Sequence, residues 1–152
     1  MSKIAIFPGS FSPFTLGHQY IVDRALPLFD KIIISIGLNS EKNKYFSIDE
    51  REEWIKSVYK NNPKVDIKRY EELTVDFCNK IGAKYILRGL RNSQDFRYEK
   101  NIAQTNKDLN SEIDTIFIIG PAKISHISST IIRDIIKNGG DVSQFIPKEI
   151  DL

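Results

Sequence analysis

Apolar positions along this chain switch between near-continuous runs and helical spacing, and the switches mark out its elements. Ile4-Ala5-Ile6-Phe7, inside Lys3 to Phe7, predicts a buried strand that Pro8-Gly9 should stop. After a loop from Ser10 to Gly17, residues Ile21, Ala25 and Leu28 recur at helical spacing, with Pro27 expected to break or kink that helix near its end. Lys31 to Leu38 holds Ile32, Ile33, Ile34 and Ile36, a β-branched run suited to a strand covered on both faces. Ser47 with Glu50 forms a capping box that opens a helix to about Tyr59, with Ile48, Ile55 and Tyr59 on one face. Val65 to Arg69 predicts a weaker third strand. Thr74 is the expected cap of a helix that buries Phe77 and Ile81 and stops at Gly82. Tyr85-Ile86-Leu87 predicts a short fourth strand that hands over at once to an Arg88-to-Arg91 loop. Asp95 to Leu109 predicts a helix with Tyr98, Ile102, Thr105 and Leu109 stacked on one face. Thr115 to Ile119 is the fifth strand, and a helix from Ser128 to Lys137 ends at Asn138-Gly139-Gly140.

Strands alternating with helices imply parallel βαβ units. The expected fold class is therefore α/β: a doubly wound, parallel five-stranded sheet with helices on both faces, in a single domain over 1–152. In such sheets ligands bind beyond the carboxyl ends of the strands, where the strand-to-helix loops gather. Composition agrees with one globular core, at 41% hydrophobic and 28% charged residues. With 22 basic against 20 acidic residues, the net charge of +2 disfavours a general nucleic-acid or anionic-membrane surface and moves attention to local basic groups. No apolar run reaches bilayer length, no leader pattern opens the chain, and one cysteine, Cys78, fits a reducing compartment. A cytoplasmic location is the expectation, without nucleic-acid or membrane partners.

Three strand-to-helix loops carry the unusual residues. In the first, Gly9 permits a sharp turn and Gly17 a close approach to a helix start, where free N–H groups and the dipole favour phosphate. His18 follows on the first turn. A lone histidine there is ordinarily a capping or surface residue; the preceding glycine and the proline-rich turn shift it toward function. The second loop, Arg88-Gly89-Leu90-Arg91, places two planar forks beside a buried strand. The third, Ile124-Ser125-His126-Ile127-Ser128-Ser129-Thr130, sets hydroxyls at another helix start, with Arg133 a turn further on. Cys78 reads as core. There is no Walker-type phosphate loop, no metal-cage spacing and no Ser/His/Asp nucleophile arrangement.

Taken together, Ala5-Ile6-Phe7-Pro8-Gly9-Ser10-Phe11, Thr15-Leu16-Gly17-His18, Lys42, Arg88-Gly89-Leu90-Arg91, Asp95-Phe96, Tyr98-Glu99 and Ile127-Ser128-Ser129-Thr130 run in the order of a known pattern. The chain resembles the HxGH-type nucleotidyltransferases, with a Rossmann-like fold, and among them the bacterial phosphopantetheine adenylyltransferase family. The resemblance implies adenylyl transfer from ATP to 4′-phosphopantetheine, giving dephospho-coenzyme A and pyrophosphate by in-line attack without a covalent enzyme intermediate. It implies Mg²⁺ as cofactor, with no protein metal ligands assigned, and a homohexamer. By the same resemblance His18 stabilises the transition state, and Ser10, Lys42, Thr74 and Arg88 bind the acceptor. The implied ATP site comprises Ser10, Phe11, His18, Gly89, Leu90, Arg91, Glu99 and Ile124 to Thr130. Departures are Ser10 where the family commonly has Thr, Ser12 where it has Asp, Ile124 and His126 where aromatic residues are usual, and an end at Leu152 slightly earlier than is typical.

The competing readings are a nicotinate-nucleotide adenylyltransferase, a cytidylyltransferase for a polyol phosphate, a non-catalytic nucleotide-binding domain and an RNA-binding module. The R-T-x-G segment typical of cytidylyltransferases is replaced here by Ile124-Ser125-His126. A binding relic has no need of His18, Arg88 and Arg91 together. The near-neutral charge disfavours RNA.

Overall fold

A computed structural model describes residues 1–38 and 45–152. Five strands form one parallel sheet: β1 (Ile4–Gly9), β2 (Lys31–Gly37), β3 (Val65–Tyr70), β4 (Tyr85–Leu90) and β5 (Asp114–Ile119). Their order across the sheet is β3-β2-β1-β4-β5. The helices are α1 (Leu16–Ala25), α2 (Ile48–Tyr59), α3 (Thr74–Ile81), α4 (Ser93–Leu109) and α5 (Ser129–Lys137). The doubly wound α/β architecture expected above is the one observed.

Period-two alternation sorts the strand residues onto two cores. Ala5, Phe7, Ile32, Ile34, Ile36 and Leu87 join the larger one, with Val22 of α1, Ile55 of α2 and Ile132 of α5. Ile6, Ile33 and Ile86 face the other way, onto Val75, Phe77 and Cys78 of α3. That is why the isoleucine run of β2 is continuous: both of its faces are covered.

Several local expectations change. Proline does not stop β1, which continues through Pro8 to Gly9. β1 pairs with β4 only at Ala5 and Ile6, and Pro8 offers its carbonyl to the Arg88 side chain instead of a strand. Because the two strands have already parted there, the missing proline N–H costs no ladder bond. Pro27 ends no helix from inside: α1 stops at Ala25, and Pro27 sits in a 3₁₀ turn, Leu26–Leu28, whose first N–H groups need no partner. Leu28 is correspondingly exposed. Thr74 does not cap α3; Leu73 takes that position, and the Thr74 hydroxyl meets the Tyr70 hydroxyl at 3.2 Å. Gly82 does end α3, in the left-handed conformation (φ 77°). Arg88, Gly89 and Leu90 belong to β4 rather than to a loop. The stripe Tyr98, Ile102, Leu109 on α4 is exposed, and Glu99 is the buried residue of that helix.

Candidate active site

The strand order reverses direction between β1 and β4, since β1 leads to β2 on one side and has β4 on the other. The crevice beyond the carboxyl ends of such a pair is where open α/β sheets bind ligands. Here a cavity of about 600 Å³ opens at that point, within the usual size range of a small-molecule site.

Two helix starts face this cavity. Among the α-helices of the described residues, α2, α3 and α4 carry an acidic residue in the first turn, whereas α1 and α5 carry none. The positive dipole ends of α1 and α5 are thus left to an outside anion. At α1, Thr15 and His18 form a reciprocal capping box: the Thr15 hydroxyl accepts from the His18 backbone N–H, and the Thr15 N–H donates to His18 Nδ1 at 2.9 Å. Histidine here takes the place of the glutamate usual in that motif. A backbone N–H can only donate, so Nδ1 is unprotonated and the ring's single proton sits on Nε2. The ring stacks on Phe14 (5.3 Å, 27°) and meets Phe11 edge-on (5.0 Å, 80°). Burial, then the charges of Arg88 and Arg91, push its pKa down to about 3. His18 is therefore a neutral, oriented N–H donor at physiological pH.

Arg88 is held at three points. Nε and Nη2 form a bidentate pair with Glu99 at 2.8 and 2.9 Å, and Nη1 donates to the Pro8 carbonyl. Five donors less three leaves two N–H groups available to a ligand. Glu99, expected to line the ATP site, does reach the cavity, but its carboxylate is committed to Arg88. Arg91 is anchored by Asp95 at 3.3 Å and reaches the Ile127 carbonyl at 3.4 Å. At α5, the Ser128 hydroxyl caps the helix and the Ser129 hydroxyl donates to the Pro13 carbonyl. Gly89 is glycine for packing reasons: a Cβ there would come within 2.8 Å of the Ile21 side chain on α1.

The cavity gathers Ser10, Phe11, His18, Thr74, Arg88, Gly89, Leu90, Arg91, Glu99, Ile124, Ser125, Ile127, Ser128, Ser129 and Thr130. Phe11 does so with its ring turned into the core, where it is 2% exposed. His126 is not among them. Buried Ile127 takes the inward direction of that turn, and exposed His126 lines a separate small hollow beside Phe145. Lys42 lies outside the described residues. Sequence reasoning passed over Tyr70 and Asn106, which extend the cavity away from His18. Tyr70 ends β3, so the carboxyl-end rule could have found it; Asn106 has no such signal. Cys78 is buried, and burial pushes its thiol up to about 11, which fits core rather than nucleophile.

Among the described residues no three His, Cys, Asp or Glu side chains cluster to hold a metal ion. The cavity's acidic groups, Glu99 and Asp95, each hold an arginine. Also among the described residues, no helix is long and apolar enough to cross a membrane.

A parallel α/β sheet with two anion-ready helix starts and a histidine–arginine set at its switch point fits the nucleotidyltransferase class that the sequence resembles. The cytidylyltransferase-like family model matches residues 6–135. The fold is similar to that of a bifunctional NMN adenylyltransferase/ADP ribose pyrophosphatase from Francisella tularensis (TM-score 0.73, 22% identity), with 96% of this chain covering 45% of that larger one. Nearer in sequence are the phosphopantetheine adenylyltransferases of Flavobacterium psychrophilum, 54% identical over 96% of each chain, and Cytophaga hutchinsonii, 51% identical over 99% of this chain and 100% of its own. This chain belongs to the phosphopantetheine adenylyltransferase family.

Proposed function

We propose that the protein transfers the adenylyl group of ATP to 4′-phosphopantetheine, releasing pyrophosphate and forming dephospho-coenzyme A. The observation that carries the reading is the convergence of neutral His18, Arg88 and Arg91 on one cavity, where the hydroxyl beside the imidazole, Thr15 Oγ1 at 3.3 Å from Nδ1, is buried and belongs to the cap of α1. Such a site suits direct transfer. An oxygen of the acceptor phosphate forms a bond to the α-phosphorus, the bond from that phosphorus to the β-phosphate bridging oxygen breaks, and pyrophosphate departs with the electron pair. The attacking group is already an anion, so no general base is required. What the protein must supply is approach of two repelling anions and stabilisation of the charge on the transferring group.

His18 Nε2–H serves the transferring phosphoryl group, Arg88 and Ser10 the acceptor phosphate, and the α5 start with Gly89 to Arg91 the nucleotide. Lys42 is the further acceptor-phosphate residue of this reading, and Thr74, beside Tyr70, contacts the pantetheine arm. With the site's carboxylates committed to arginines, Mg²⁺ fits as an ion carried on the nucleotide's own phosphates. It would neutralise part of their charge. A cytoplasmic homohexamer completes the reading; the exposed Leu109 of α4 and Ile119 of β5 suit association between copies.

Pyrophosphate release with ATP against a panel of phosphorylated acceptors tests the proposal. Turnover with 4′-phosphopantetheine is expected, and turnover with nicotinate mononucleotide instead would reject it. In the same assay, Arg88→Ala should raise the KM for the acceptor more than that for ATP; the reverse ranking would assign Arg88 to the nucleotide.

A further inference from the structure

Four carbonyl oxygens, one at the end of β1 and three in the turn between β1 and α1, are held by side chains from elsewhere in the chain. Arg88 holds Pro8, Arg51 holds Ser10 at 2.8 Å, Arg133 holds Ser12 at 2.7 Å and Ser129 holds Pro13 at 2.8 Å. Arg88 and Ser129 also line the cavity, whereas Arg51 of α2 and Arg133 of α5 do not. The proposed reaction makes no direct use of these last two.

Their bonds fall on the residues either side of Phe11. Among the described residues, Phe11 is the one non-glycine with positive φ, at 50°. A side-chain-bearing residue stays in that region only where its surroundings over-determine it. The Phe11 ring lies over Gly9, where a Cβ would meet it at 2.9 Å, and its other contacts include His18 and Phe14. Ser12 contributes no side-chain anchor, since its Oγ is fully buried and has no hydrogen-bond partner among the described residues. The turn is therefore held through its carbonyls. Guanidinium donors suit that task because their bonds are charge-assisted and their planar fork can bridge two acceptors. Arg51 also donates from Nε to the Ser47 carbonyl at the start of α2, and Arg133 from Nη2 to the Thr130 hydroxyl in the first turn of α5. Each arginine is a strut from the turn to a helix start.

We infer that Arg51 and Arg133 are positioning residues for the transfer reaction: by holding the Ser10 and Ser12 carbonyls they fix Phe11, and through it the His18 ring and the Ser10 hydroxyl. The kinetic consequence rests on the reaction proposed above; the geometric one does not. Misplacement of a reacting group by about 1 Å can cost roughly 10²-fold in rate, so the effect belongs in kcat.

Arg51 is 1% exposed and its truncation threatens folding, so half-buried Arg133 carries the main test. The full chain, wild type and Arg133→Ala and Arg133→Lys variants, would be assayed for pyrophosphate release with ATP and 4′-phosphopantetheine each varied. In parallel, ¹⁵N signals of the His18 imidazole would be recorded without substrates. Arg133→Ala is expected to lower kcat roughly 10–100-fold, with both KM values moved less than about threefold, and to shift the His18 signals. Arg133→Lys, which keeps one charged donor for Ser12, should recover most of the loss in both readouts. Arg51→Lys, which keeps the buried charge without the fork, should lower kcat in the same direction. Unchanged kcat and unchanged His18 signals in Arg133→Ala would overturn the inference. So would a kcat loss with unmoved His18 signals, because Arg133 would then act on substrate directly. If the wild type gives no turnover, the functional reading fails, and the His18 signals alone decide the positioning role.

Discussion

His18 matters here as a donor, not as an acid or a cation. The Thr15 N–H takes its Nδ1, three aromatic rings confine it, and burial beside Arg88 and Arg91 keeps it neutral. That leaves Nε2–H, which in the proposed reaction meets the charge that develops during transfer. His18→Ala should therefore lower kcat by roughly 10²–10³-fold while the ATP dissociation constant measured calorimetrically changes little; equal losses in both would remove the transition-state role. A second expectation follows from the sign of the shift. With a folded pKa of about 3 against 6.5 for the free group, the unfolded chain binds more protons at His18 between those values, so this contribution to stability is lost as pH falls from about 6.5 toward 3. Replacing His18 by Asn should flatten that limb of a denaturation-versus-pH curve, and an unchanged limb would show that the ring is protonated in the folded state. For the same reason kcat should show no inflection from His18 between pH 5 and 9.

At the scale of elements, the site depends on where β1 and β4 part. Pairing ends after Ile6 and Ile86, and the Arg88 guanidinium spans the opening to Pro8 while Glu99 of α4 fixes its plane. α1 must pack tightly against β4 for its start to face this opening, and Gly89 beneath Ile21 allows it. Gly89→Ala should destabilise the fold by about 1–3 kcal/mol through overpacking, measured by chemical denaturation. A neutral result would mean that α1 can move away freely. Much of this level was legible along the chain. The Ser47–Glu50 box, Gly82, the β2 run and the cap at Ser128 are set by residues within a turn of one another. The Thr15–His18 box is equally local, yet it escaped notice because histidine is not the usual residue at its third position. Arg88 falls in a loop by its sequence because glycine and arginine weaken a strand signal that β5 alone restores, pairing Arg88 with Phe117 and Gly89 with Ile118.

For the whole molecule, a charge of +2 spread over 152 residues hides a strongly local arrangement in which arginines converge on one sheet edge. The opposite anomaly is apolar. β5 ends the sheet with Ile119 74% exposed, and α4 leaves Leu109 uncovered, whereas its exposed Tyr98 lines the cavity. Large exposed apolar side chains grouped on adjoining elements mark association surfaces. On the homohexamer proposed above, Ile119→Glu should shift the protein to smaller assemblies in light scattering, with the fold retained by circular dichroism; an unaltered assembly would exclude this surface as the contact. The helical stripe on α4 was visible in the sequence, but its spacing alone could not say that the fold leaves it exposed, with Tyr98 and Ile102 beside the cavity.

What the sequence determined by itself was the succession of strands and helices and the two helix starts free of acidic residues, because periodicity, caps and first-turn charges act within a few residues. What only the tertiary structure decided was which distant groups meet. Arg133 reaches Ser12 across 121 positions, Arg88 reaches Pro8 across 80, and Arg51 reaches Ser10 across 41. Those pairings exist because parallel crossovers bring α2, β4 and α5 to the end of β1. They set the shape of the turn before His18, while burial and then the charges of Arg88 and Arg91 set its neutrality, and neither property belongs to any short segment of the chain.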